Sequence, residues 1–126
     1  MVSERNKSSL DIAALQQRLR DFAAARDWDQ FHSPKNLAMA LAAESGELLE
    51  LFQWLTEAQS SQLSEEERTD VAVELADIQI YLVRIADALD VSLPEAVEEK
   101  LRENAQKYPV DLSKGNATKY SRRGSD

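Results

Sequence analysis

Residues that break helices are scarce in this chain, with three glycines and three prolines among 126 positions. Between them, apolar side chains recur three and four apart, the period of an amphipathic helix rather than the alternation of a strand. Read with the serines, the breakers cut the sequence into four helical segments, so the expected fold class is all-α, a four-helix bundle. The first segment spans about Ser9 to Arg26 and sets Leu10, Ala14, Leu15, Leu19 and Phe22 at helical spacing. An aromatic-rich connector, Asp27-Trp28-Asp29-Gln30-Phe31-His32, leads to Ser33-Pro34, an N-cap with proline at the first helical position. The second helix is expected to reach about Leu55. A polar stretch, Thr56–Leu63, then interrupts the period before Ser64-Glu65-Glu66-Glu67, a capping box that opens a long third helix to about Leu89. Ser92, with Glu95 three residues on, restarts the chain as a fourth helix ending near Tyr108. The expected division is a flexible N-terminus over 1–8, one helical domain over 9–109 and a C-terminal arm over 110–126, where apolar anchors are few.

Charge and composition narrow the function classes. An apolar fraction of 43% suffices for one compact domain. The net charge of −8 opposes non-specific attachment to nucleic acid or to an anionic membrane, so neither is an expected partner. A phosphate-bearing ligand would need a divalent cation to bridge it to so acidic a protein. The absence of cysteine excludes disulfides, thiolate catalysis and zinc–sulfur sites. Met1–Ser9 lacks the apolar core of a signal peptide, and no apolar run approaches the roughly 20 residues of a membrane span, so a cytoplasmic location is expected. There is no Gly-x-x-x-x-Gly-Lys loop, and the single histidine cannot supply the paired Glu-x-x-His motifs of a di-iron bundle.

Two helical faces carry carboxylates where a packed core would not place them. On a wheel of about 100° per residue, Leu37, Leu41, Leu48, Leu51 and Leu55 fall within about 60° of one direction, with Glu44 in their midst and Glu47 on the flank. The third helix repeats the device: Glu74, Asp77 and Tyr81 form a strip walled by Val71, Ile78, Leu82 and Ile85 on one side and by Val73 and Ile80 on the other. Burying an unpaired carboxylate costs several kcal/mol, so each position calls for a cation or a strong partner. Antiparallel packing of the two faces would gather Glu44, Glu47, Glu74 and Asp77. Hard oxygen ligands without histidine or thiolate suit magnesium, with manganese as a substitute. A lone Glu-x-x-Glu on a helix is ordinarily a solvated face, and Glu50, Glu57 and Glu65 to Glu67 are read that way.

The run Phe22 to His32, then Glu44-Ser-Gly-Glu47 through Trp54, then Glu74-Leu-Ala-Asp77 through Tyr81, then Lys100 to Asn104 and Lys107-Tyr108-Pro109, resembles the MazG-like all-α nucleotide pyrophosphohydrolases. The likeness covers roughly residues 10–120 and is strongest to their dCTP pyrophosphatase branch. It implies that Glu44, Glu47, Glu74 and Asp77 hold magnesium, which binds a nucleoside triphosphate and activates water for attack on the α-phosphorus, releasing pyrophosphate. Glu47 is the candidate general base, since a base must reach both water and metal. The likeness further implies Lys100, Asn104 and Lys107 as contacts to phosphate or sugar, Trp28 and Trp54 around the nucleobase, and Tyr81 against the sugar. Leu19 stands where the dCTP branch commonly carries a histidine. Family members are homodimers or homotetramers, and the apolar Ala72, Ala76, Ile80 and Val83 on a second side of the third helix agree with self-association. A dUTPase-like or phosphoribosyl-ATP pyrophosphatase-like hydrolase, and a non-catalytic acidic helical binding module, are the alternatives.

Overall fold

A computed structural model of the chain describes residues 9–119 and 121, and among these every regular element is helical. Four long helices are present: α1 (Ile12–Ala25), α2 (Pro34–Glu50), α4 (Glu65–Ala88) and α5 (Leu93–Lys107). Two single-turn helices, α3 (Glu57–Ser60) and α6 (Val110–Ser113), and a 3-10 turn at Asp29–Phe31 complete the set. The flexible N-terminus expected over 1–8 lies outside the described residues.

The caps read from the sequence form as side-chain bonds. Ser33 Oγ accepts from Asn36 N at 3.1 Å, with Pro34 at the first helical position of α2. Ser64 and Glu67 close a reciprocal capping box at the start of α4. Ser92 caps α5 through Glu95 N. Two boundaries depart from expectation. α2 stops at Glu50 rather than Leu55, because Leu51, Phe52 and Leu55 donate to carbonyls only three residues back, tightening the chain into turns. The polar segment Thr56–Leu63, read as an interruption between helices, contains α3, started by a second capping box between Thr56 and Gln59. The T-x-x-Q signal for it was present in the sequence.

The chain divides into two compact units, one ending at Val91 and the other starting at Ser92. In the first, α2 lies along α4 as the main helix pair, and α1 packs on α4 as well. The pairing is antiparallel: His32, just before α2, meets Arg84 late in α4, whereas Glu44, farther along α2, meets Glu74 and Asp77 earlier in α4. Ala23 of α1, Leu37 of α2 and Val83 and Ala86 of α4 are the buried core. That core is small, and large apolar side chains including Met39, Leu49, Val73 and Leu75 remain exposed on α2 and α4.

Polar cross-links supplement it. Asp87 of α4, 11% exposed, accepts from Gln16 Nε2 at 2.5 Å and from Arg20 Nε and Nη2 at 2.7 and 2.5 Å, tying α1 to α4. These contacts hold the Asp87 carboxyl below the usual aspartate range, the Arg20 hydrogen bonds first. Arg84, one turn earlier, reaches the connector between α1 and α2, donating from Nη2 to Asp29 Oδ1 at 3.2 Å and to His32 Nδ1 at 3.1 Å.

Candidate active site

α2 and α4 each contribute acid groups to one point. An oxygen from each of Glu44, Glu74 and Asp77 lies within 4.8 Å of the other two, and all three side chains are half-buried. Glu44 reaches it from α2, whose apolar stripe turns that face toward α4. Glu74 and Asp77 share a face of α4 at the i, i+3 spacing. Glu44 Oε2 and Glu74 Oε2 are sealed from solvent without a hydrogen-bond partner among the described residues. Two such oxygens beside a third carboxylate repel one another, which burial tolerates when a cation joins them or when a carboxylate takes up a proton.

Protonation responds accordingly. Glu44 is pushed above the ordinary glutamate range, first by the Glu74 carboxyl, whose close approach a shared proton relieves, then by burial and the charge of Asp77. Glu47 is also pushed up, first by its contact with Glu44 and the charge there, then by burial. Glu47 is more exposed than the other three and stands at the rim, outside the group whose oxygens mutually converge. The donor set, three or four carboxylates with no nitrogen or sulfur, fits a hard divalent cation, and the two orphaned oxygens are what such an ion would satisfy.

The other sequence candidates are distributed more widely. Tyr81 is half-buried on α4, one turn beyond Asp77. Trp28, 43% exposed, sits edge-on to Phe22 at 5.6 Å and to His32 at 6.2 Å. Trp54 lies in the turn after α2 and is 86% exposed, and no ring contact joins it to Trp28 among the described residues. In the second unit, Lys100, Asn104 and Lys107 follow one another along a face of α5, where Glu103 pairs with both lysines at 3.8 and 3.5 Å. The polar links from Arg84 and Asp87 were missed in the sequence; an arginine or aspartate on a helix carries no mark of a partner more than 50 residues away.

Residues 39–122 match the profile of the MazG-like family, a stretch that includes the whole acidic cluster and the α5 face but not Trp28. The chain belongs to the MazG-like family. Among curated relatives, dCTP pyrophosphatase 1 of Rattus norvegicus is 50% identical over 103 residues, covering 80% of this chain and 61% of its own. The protein of that name from Homo sapiens is 46% identical over the same span and shares. The chain thus spans 61% of the length of these mammalian relatives. A crystal structure of a pyrophosphatase from Archaeoglobus fulgidus superposes with a TM-score of 0.74 at 36% identity, covering 80% of this chain and 94% of that one.

Proposed function

We propose that this MazG-like chain is a magnesium-dependent pyrophosphohydrolase that converts a nucleoside triphosphate, dCTP or a modified dCTP in the first instance, to the monophosphate and pyrophosphate. The observation that carries the proposal is the convergence of Glu44, Glu74 and Asp77, two of which, Glu44 and Glu74, each keep a buried and unsatisfied oxygen. The substrate class is taken from the mammalian relatives' activity.

In this proposal Glu44, Glu74 and Asp77, with Glu47 at the rim, hold the ion. When bound, a divalent cation supplies positive charge to the phosphate oxygens and acidifies the attacking water. The carboxylate of Glu47 takes the water proton as the oxygen attacks the α-phosphorus, the α–β bridging bond breaks, and its electron pair leaves with pyrophosphate. Trp28 and Trp54 offer flat faces for stacking the base, and Tyr81 a hydroxyl to the sugar. Lys100, Asn104 and Lys107 supply phosphate or sugar contacts.

Self-association into a homodimer or homotetramer belongs to the same proposal, supported by Met39, Leu49, Val73 and Leu75, large apolar side chains left uncovered on the two helices that carry the acids. Sedimentation analysis tests it; a monomer at micromolar concentration would refute it. No helix among the described residues is long and apolar enough to cross a membrane, and we assign the protein to the cytoplasm. The deciding experiment incubates the protein with each ordinary and 5-modified deoxynucleoside triphosphate plus magnesium and separates the products. Monophosphate with pyrophosphate is expected. Diphosphate with orthophosphate, or no turnover of any of them, would overturn the assignment.

A further inference from the structure

The connector between α1 and α2 is fixed to the rest of the first unit by few polar bonds. Within itself it is well tied: Trp28 N donates to Ala23 O at 2.9 Å, Gln30 Nε2 to Asp27 O at 3.0 Å, and Asn36 Nδ2 to Phe31 O at 3.0 Å. Each of those bonds stays within the local chain. Across to α4, the side-chain hydrogen bonds among the described residues are the two made by Arg84 Nη2, to Asp29 and to His32. Arg84 is 12% exposed, and on its far side lies Asp87, 4.0 Å from Nη1 and itself bound by Arg20.

We infer that Arg84 is the positioning residue for Trp28, acting through His32. Guanidinium has donors and no acceptor, so in this contact His32 Nδ1 offers its lone pair. Nη2 carries two hydrogens and has two acceptors, Asp29 Oδ1 and His32 Nδ1, so both are used. The His32 ring, fixed by that bond, stands edge-on to Trp28, and Phe22 closes on Trp28 from α1. The contacts form a circuit: α1 to α4 through Arg20 and Asp87, α4 to the connector through Arg84 and His32, and the connector back to α1 through Trp28 and Phe22. A ring of that kind fixes the orientation of a half-exposed indole, which backbone bonds alone would leave free to turn about its side-chain torsions. The functional consequence rests on the proposed stacking of a nucleobase on Trp28.

The test uses the whole chain in two series. In the natural background, Arg84→Met and His32→Leu are expected to raise KM for the nucleoside triphosphate roughly tenfold while leaving kcat within about twofold. His32→Asn, whose Oδ1 can occupy the place of Nδ1, is expected to keep KM near the starting value. The double variant should match the singles rather than their product, the sign of one coupled path. In a Trp54→Phe background, where Trp28 is the sole tryptophan, Arg84→Met should shift its emission to the red as the ring turns toward water. An unshifted emission, or a His32→Asn protein as impaired as His32→Leu, would overturn the inference. Trp28→Ala separates the two levels: if it leaves KM unchanged, base stacking on Trp28 is refuted, and the emission shift still decides whether Arg84 positions the ring.

Discussion

Glu44 on α2 and Glu74 on α4 face one another across the helix pair, each with a carboxylate oxygen shut away from solvent and unpaired. This is an unstable pairing in the protein alone. Under the proposed function, an entering cation would make it a favourable one.

The first prediction follows from that opposition. Because the Glu44 pKa is raised in the folded state, this group favours folding fully below the ordinary glutamate value of 4.5, and that contribution is lost as pH rises through the folded value. Glu44→Gln should therefore raise the Tm of the metal-free protein at pH 7, with the gain vanishing in acid. Magnesium should raise the Tm of the unsubstituted protein and leave that of the variant nearly unmoved. Thermal melts with and without chelator check all of this.

Glu47→Gln should fold normally and lose turnover by about 10²–10⁴-fold, the range expected for removing a general base. Rapid-quench measurement of monophosphate formation is the appropriate assay. Magnesium binding weakened in step with turnover would trace the loss to Glu47's hold on the ion rather than to its action as base.

Asp87 behaves oppositely to Glu44. Its folded pKa is depressed, so its stabilising contribution is present above the ordinary value of 3.8 and is lost as pH falls through the folded value. Asp87→Asn should cost about 1–3 kcal/mol at pH 7, nearer the lower end because Arg20 is half exposed at 51%. The difference from the unsubstituted protein should shrink in acid, as denaturant titrations across pH will show.

Trp54, almost wholly in solvent, contributes little to the fold of one chain. Trp54→Ala should leave metal-free stability close to unchanged at low protein concentration. If it stacks a base, KM rises by about 5- to 150-fold, since such stacking is worth about 1–3 kcal/mol. Steady-state kinetics with a matched melt separates the two effects.

Asp90 ends α4 in the left-handed region at φ 54, where a β-carbon is unfavourable. Asp90→Gly removes that strain and a negative charge from a helix C-terminus, and should stabilise the protein by about 1 kcal/mol without altering turnover.

Much of the acidic cluster was legible because its residues contradict their surroundings. A glutamate amid leucines, repeated on a second helix, can be seen in one dimension, and the structure brings Glu44, Glu74 and Asp77 of that set to one point. Caps at Ser33, Ser64 and Ser92 were equally local and equally readable. What escaped was either misweighted or distant. Thr56 and Gln59 spelled a capping box inside a polar stretch that interrupts the helical period, and four apolar or aromatic positions beyond Glu50, namely Leu51, Phe52, Trp54 and Leu55, suggested a helix that the backbone does not continue. Arg84 and Asp87 look like any solvated pair one turn apart; their partners sit on elements that only folding brings near.

One helix, α4, carries both the acids and the arginine that reaches the connector, and the interval between them is fixed by the helix itself. From Asp77 to Arg84 the chain advances nearly two full turns, about 10 Å, so both project from the same side. A single inserted residue would swing one end by about 100° relative to the other. Substitutions can thus retune either end separately, but the spacing admits no drift in length, and descendants of this sequence should vary there in residue identity while keeping the count unchanged.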